Sequence, residues 1–163
     1  MPKQVFITPL TDVASADLEG VGTLRWVKNK CYKYVKLFND TGTVAGVAGD
    51  AAAYAKEVGG EDSVVVLDLN DADTKPIGAG ALTGAVVGLL DTAYYLWIQI
   101  KGPVTLSLDV LGTPGDGDTF MMSGTDLKFT EYLNDDSSET NDGHPCGVIN
   151  DDSAKKVILD CVF

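Results

Sequence analysis

Tyr94-Tyr95-Leu96-Trp97-Ile98-Gln99-Ile100 carries the plainest structural signal in the chain. The stretch is made almost wholly of aromatic, β-branched and aliphatic residues, which fit a pleated and largely buried surface. It holds neither glycine nor proline, so it predicts the strongest strand in the chain. Lys101-Gly102-Pro103 follows as a turn signal. After it, Val104, Leu106, Leu108 and Val110 alternate with Thr105, Ser107 and Asp109, which predicts a partner strand with one wet face.

On both sides of this pair the same texture recurs. Leu24-Arg25-Trp26-Val27 and Cys31-Tyr32-Lys33-Tyr34-Val35-Lys36-Leu37-Phe38 flank Lys28-Asn29-Lys30 and predict a hairpin. Ser63-Val64-Val65-Val66-Leu67-Asp68-Leu69 reads as a strand. Residues 43–58 contain Ala51, Ala52, Ala53 and Ala55, a helix-favouring set. The glycines around them leave too little length, so a strand with an adjoining turn is expected. Residues 77–90 carry four glycines in a small-residue frame and fit bulged strands. Thr119-Phe120-Met121-Met122 and Leu127-Lys128-Phe129-Thr130 predict a second hairpin. Cys146-Gly147-Val148-Ile149 and the apolar residues 156–163 predict two closing strands. Residues 1–22 read as an arm, with Gln4-Val5-Phe6-Ile7 as a short strand before Pro9. The expected fold is therefore all-β: a compact barrel-like or sandwich-like, β-tulip-like body over residues 23–163, an extended N-terminal arm over 1–22, and little helix.

Composition fits one such domain. Eighteen of the 163 residues are glycine, against a usual share of about 7%, and without a collagen period they point to tight turns. The net charge is −12, which disfavours nucleic acid as a partner because phosphate needs a basic face. The charge is uneven. Residues 1–40 carry six cations and four carboxylates, while the remainder carries six cations and twenty carboxylates. Arg25, Lys28, Lys30, Lys33 and Lys36 follow one another with no acid between them, a basic stripe able to orient docking. No stretch resembles a signal peptide or a membrane span of about 18 apolar residues. The three cysteines include no C-x-x-C pair. A soluble product of a reducing cytoplasm is expected, with no membrane partner.

Candidate chemistry is thin. Asp40-Thr41-Gly42, with Val86-Val87-Gly88, imitates the turn elements of an aspartic protease, though Asn39 stands where an apolar residue belongs. Gly78-Ala79-Gly80 with Gly84 imitates a dinucleotide fingerprint, but that needs a strand entering a glycine turn and then a helix. Residues 134–142 carry Asp135, Asp136, Glu139 and Asp142 without the spacing of a calcium loop. His144 and Cys146 stand two apart, the one arrangement from which nucleophilic catalysis could be built. A zinc site would have to draw on Cys31, Cys146, Cys161 and His144. Ordinary turns, a solvated loop and core thiols account for these residues, so no enzyme activity, cofactor or metal is expected.

The order of elements resembles the head-decoration, or capsid cement, proteins of phages. The likeness rests on Ile7-Thr8-Pro9 running to Leu18-Glu19-Gly20, and on Gly22-Thr23-Leu24-Arg25-Trp26-Val27 followed by Tyr32-Lys33-Tyr34-Val35-Lys36. It rests also on Val44-Ala45-Gly46-Val47-Ala48-Gly49-Asp50, and on residues 94–102 with the strand expected after them. It is a likeness of texture and order, without a catalytic signature. It implies a structural virion protein, made in the host cytoplasm. Such a protein sits as a homotrimer on the outer capsid surface and binds the major capsid protein against internal DNA pressure. The contacts expected for that role are Gln4, Val5, Phe6 and Ile7, as an arm that orders on its neighbour, and Arg25, Lys28, Lys30, Lys33 and Lys36. A tail-tube, head-fibre or other virion β protein, and a ligand-binding or hydrolytic β-barrel, are the alternative readings.

Overall fold

The computed structural model describes residues 5–38, 42–55, 63–68, 77–89, 91–132 and 144–161. Among them the chain forms eleven strands and no helix. In chain order these are β1 (Val13–Ala14), β2 (Leu24–Val27), β3 (Lys30–Phe38), β4 (Ala51–Tyr54), β5 (Val64–Val66), β6 (Gly78–Leu82) and β7 (Ala93–Thr105). Then come β8 (Thr119–Met122), β9 (Phe129–Glu131), β10 (Pro145–Asp151) and β11 (Lys156–Asp160).

The long strand β7 organises everything else. On one edge it pairs antiparallel with β3, from Phe38 opposite Ala93 to Cys31 opposite Lys101. Its other edge is shared in turn by β1, β6 and β11. The circuit β3-β5-β4-β6-β7 returns to β3 and closes a barrel, which leaves those strands no free edge there. Beyond the barrel, the C-terminal part of β7 continues into a second sheet of order β7-β11-β10-β8-β9.

Three apolar clusters follow from period-two alternation. Val35, Leu37, Ala52, Val65, Ala79, Leu82, Leu96, Ile98 and Ile100 belong to the cluster that fills the barrel. Ala51, Ala53 and Ala81 face the other way and pack under the second sheet, against the cluster of Phe120, Met122, Phe129, Ile149, Val157 and Leu159. The alanine run is thus a strand with both faces covered, its methyl groups buried alternately in the two clusters. Tertiary packing overrides its helix propensity here. Tyr32, Tyr34 and Trp97 form the third cluster on the outside of β3 and β7, covered by Phe6, Leu10 and Val27.

The sequence predicted a hairpin across Lys101-Gly102-Pro103, and that expectation is corrected. The chain runs straight through as one strand, Ala93–Thr105. Gly102 has φ +91, so the backbone bends where β7 leaves the barrel without reversing, and the register against β3 slips between Cys31 and Tyr32. This is a bulge, which bends a strand and increases its twist. The buried Gln99 amide donates to the carbonyls of Lys101, Gly102 and Pro103 at 3.2, 3.1 and 3.0 Å, and so holds the bend. Among residues 104–111 the expected partner strand reduces to the end of β7 and an isolated bridge from Leu111 to Thr130. Val5 to Ile7 is not a strand either, and Gln4 lies outside the described residues. The β2–β3 and β8–β9 hairpins, the Val64 strand and the two closing strands stand as expected.

Candidate functional site

The expectation of an extended arm is corrected: the chain turns between Pro9 and Asp12 and folds back until Glu19 meets Ile7 and Thr8, and this loop is tied to its own barrel. Glu19 Oε1 accepts from the backbone N–H groups of Ile7 and Thr8 at 2.7 and 2.6 Å, and from the Thr8 hydroxyl at 2.8 Å. Trp97 Nε1 donates to Thr8 Oγ1 at 2.9 Å. Arg25 Nη1 donates to the Thr8 carbonyl at 3.0 Å, and its guanidinium lies 4.8 Å from the centre of the Phe6 ring. Phe6 meets Trp97 edge-on at 5.6 Å. The Thr83 hydroxyl donates to the Leu10 carbonyl, and β1 then joins the edge of β7.

Burial by itself would raise the Glu19 pKa, but the hydrogen bonds from Thr8 and Ile7 and the charge of Arg25 outweigh it and hold the carboxyl below its usual range. The ionised form therefore stabilises the docked arm at neutral pH, and that contribution fades as pH falls through the depressed folded-state value. Limited proteolysis of residues 5–22 should accelerate below the ordinary carboxylate range, and Glu19→Ala should cleave fast at every pH. Equal protection of both proteins across that range would show that Glu19 does not hold the arm.

The basic stripe does not survive as one surface. Lys33 alternates to the face it shares with Val35, is buried, and donates to Tyr54 Oη at 3.2 Å. Arg25 is used on the arm. Lys36 stands 5.6 Å from the Phe38 ring. Lys28 and Lys30 remain at the β2–β3 turn, Lys28 exposed and Lys30 half-buried. Of the four arm residues expected at an interface, Phe6 is packed on the barrel, Val5 and Ile7 are exposed, and Gln4 is outside the described residues.

A surface the sequence reading did not single out is built from two segments without a charged residue, 42–49 and 77–89. Gly46 and Val86 form an antiparallel bridge with both backbone N–H groups donating across, at 3.0 and 2.9 Å. That register sets Ala45 beside Val87 and Val47 beside Ala85. Gly46 and Val86 point inward, and the other four are exposed. Val87 is 65% and Val47 53% exposed, with Leu89 continuing the patch at 48%. The buried Asp50 carboxylate holds the ribbon from beneath, accepting from Val47 N at 2.7 Å and from the Ser107 hydroxyl. The signal available in the sequence was the absence of charge from both segments of a strongly acidic chain.

The remaining chemical candidates resolve by position. Gly78-Ala79-Gly80 lies inside β6, fully buried, with no helix in the described residues 83–89, so it cannot cradle a phosphate. Cys146 packs in the core, where its thiol meets the Cys161 thiol and the His144 carbonyl, the latter at 3.6 Å, while the His144 residue is exposed. Cys31 belongs to the barrel cluster, Cys146 and Cys161 to the cluster under the second sheet, so these thiols do not converge on one metal. Asp40, Thr41 and the acidic loop 134–142 lie outside the described residues. No protein-family model matches the chain, and neither a curated protein nor a solved structure is found similar to it.

Proposed function

We propose that this protein is a structural virion component, a capsid decoration protein that seats on the outer surface of the major capsid shell and stabilises it. The observation that carries the reading is the uncharged ribbon of Ala45, Val47, Ala85, Val87 and Leu89, exposed on a barrel whose interior is filled with side chains. Contiguous exposed apolar surface on a soluble domain marks a protein-binding face. An adhesive protein works by covering area, and a filled barrel offers its surfaces. The acidic remainder keeps free copies apart in solution by like-charge repulsion. The resemblance in element order supplies the identity of the partner and the homotrimeric assembly.

The test is co-sedimentation of purified protein with capsid shells, expanded and unexpanded. Binding to expanded shells is expected. The double substitution Val47→Asp, Val87→Asp should lower the affinity at least tenfold, with an unchanged circular dichroism spectrum and melting curve, because it puts two charges on a face that must be desolvated. Binding to neither form of shell would overturn the reading. Rings or tubes formed by the isolated protein would replace it with a tail-tube or fibre role.

A further inference from the structure

The cations at the β2–β3 turn do not stand alone. Gly102 lacks a side chain where the Asn29 carbonyl rests: a Cβ there would lie 2.3 Å from that oxygen. The turn is therefore seated on β7 where the barrel passes into the second sheet. Lys28 and Lys30 are carried to that junction, and β7 and β11 add Lys101 and Lys156, from the far half of the sequence. Asp160 and Asp151 share the neighbourhood, Asp151 in register with Lys156. Asp160 is paired with Lys101 at 2.6 Å. Asp151 accepts from the Ser153 hydroxyl at 2.8 Å and from Ala154 N at 3.0 Å. Lys28 and Lys30 have no carboxylate partner among the described residues, on a chain whose net charge is −12.

The same place has an apolar stripe. On the outer face of the second sheet, Pro103 of β7 is in register with Ile158 of β11, and Ile158 with Val148 of β10. Ile158 is 47% and Val148 42% exposed. The next row along the strands is polar and basic, Thr105 opposite Lys156. Between the two rows and the β2–β3 turn lies a shallow depression of about 290 Å³, lined by Lys30, Pro103, Thr105, Asn150, Lys156 and Ile158 among others. Apolar floor and cationic rim are thus set side by side at the pleat spacing.

We propose that this depression is a docking groove for an extended, acidic segment of a partner protein. Such a segment lays alternate side chains on one face. Apolar residues settle on the stripe of Pro103, Ile158 and Val148, and neighbouring carboxylates meet Lys30 and Lys156. The charge pattern selects the partner: a basic segment would be repelled by the rim, and a wholly polar acidic one would leave the stripe wet. Exposed pairs of this kind are screened over about 8 Å at physiological salt, so binding must weaken as salt rises. The groove is separate from the uncharged ribbon, and the inference does not depend on the shell as the partner.

The experiment uses the full chain with methyl groups labelled for NMR. The probes are a ten-residue peptide alternating aspartate and valine, its lysine–valine and aspartate–serine counterparts, and a single-stranded oligonucleotide of similar charge. The aspartate–valine peptide should shift the methyl signals of Ile158 and Val148 and leave those of Val47 and Val87 in place. Its affinity should fall at least tenfold in the doubly substituted Lys30→Glu, Lys156→Glu protein, and likewise in 0.5 M salt. The other two peptides should bind at least tenfold more weakly. Ile158→Ser provides a second variant that leaves the charges intact and should weaken the peptide by a similar factor. Equal binding to the charge-reversed protein overturns the proposal, as do shifts confined to Val47 and Val87. Oligonucleotide binding as tight as the peptide's would identify a plain phosphate-binding surface and overturn it as well.

Discussion

Trp97→Ala should destabilise the protein by about 3–5 kcal/mol, the range for deleting a large buried aromatic side chain. Trp97 is fully buried, and its ring centre lies 5.6 Å from that of Phe6 and 5.1 Å from that of Tyr34. It is also the donor to Thr8, so its removal takes out the apolar floor of the arm and a hydrogen bond together. Urea unfolding measures the loss, and limited proteolysis provides a second readout: residues 5–22 should become cleavable while the closed barrel persists. Trp97→Phe keeps most of the ring contact and removes one hydrogen bond from Thr8, whose hydroxyl still donates to Glu19, so its cost should be smaller, about 0.5–1.5 kcal/mol. A loss below about 1 kcal/mol for Trp97→Ala, with the arm still protected, would show that Glu19, Arg25, Thr83 and the β1–β7 pairing hold the arm without Trp97.

Gly80→Ala should cost several kcal/mol, although it adds one methyl group. Gly80 has φ +153, and a Cβ on it would stand 2.4 Å from the Gln99 carbonyl oxygen. That oxygen belongs to β7, paired with β6 through Ala81 and Gln99, so the methyl pushes directly on the seam that closes the barrel. Backbone strain of about 1–3 kcal/mol and overpacking of about 1–3 kcal/mol act together there. Gly124→Ala is the control, since a Cβ at Gly124 meets nothing within 4 Å, and a surface change of that kind stays within about 0.5 kcal/mol. Equal melting temperatures for the two variants would mean that the β6–β7 approach is looser than the structure has it.

The all-β class could be read from Tyr94 to Ile100 and from the hairpin around Lys28-Asn29-Lys30, because strand texture and turn residues act over a few positions. The double use of β7 could not. Whether Lys101-Gly102-Pro103 reverses the chain or only bends it depends on what pairs with both sides. The partners, β3 and β11, come from opposite ends of the sequence. The alanines of β4 carry the same lesson. Their helix propensity is a local quantity, and it loses to burial against a different apolar cluster on each face.

The candidate surfaces divide along the same line. An acidic, glycine-rich chain of short strands, with a basic cluster near its start and two segments free of charge, is already present in the order of residues, since composition and alternation are properties of neighbours in the chain. Which of those cations are available is settled by packing. Strand alternation turns Lys33 into the protein, the arm takes Arg25, and the contact of Asn29 with Gly102 brings Lys28 and Lys30 to Lys101 and Lys156. Likewise, the two uncharged segments became one exposed ribbon only because Gly46 pairs with Val86. A surface is a relation between residues distant in sequence, and the energy that establishes it comes from closing the barrel, not from either segment alone.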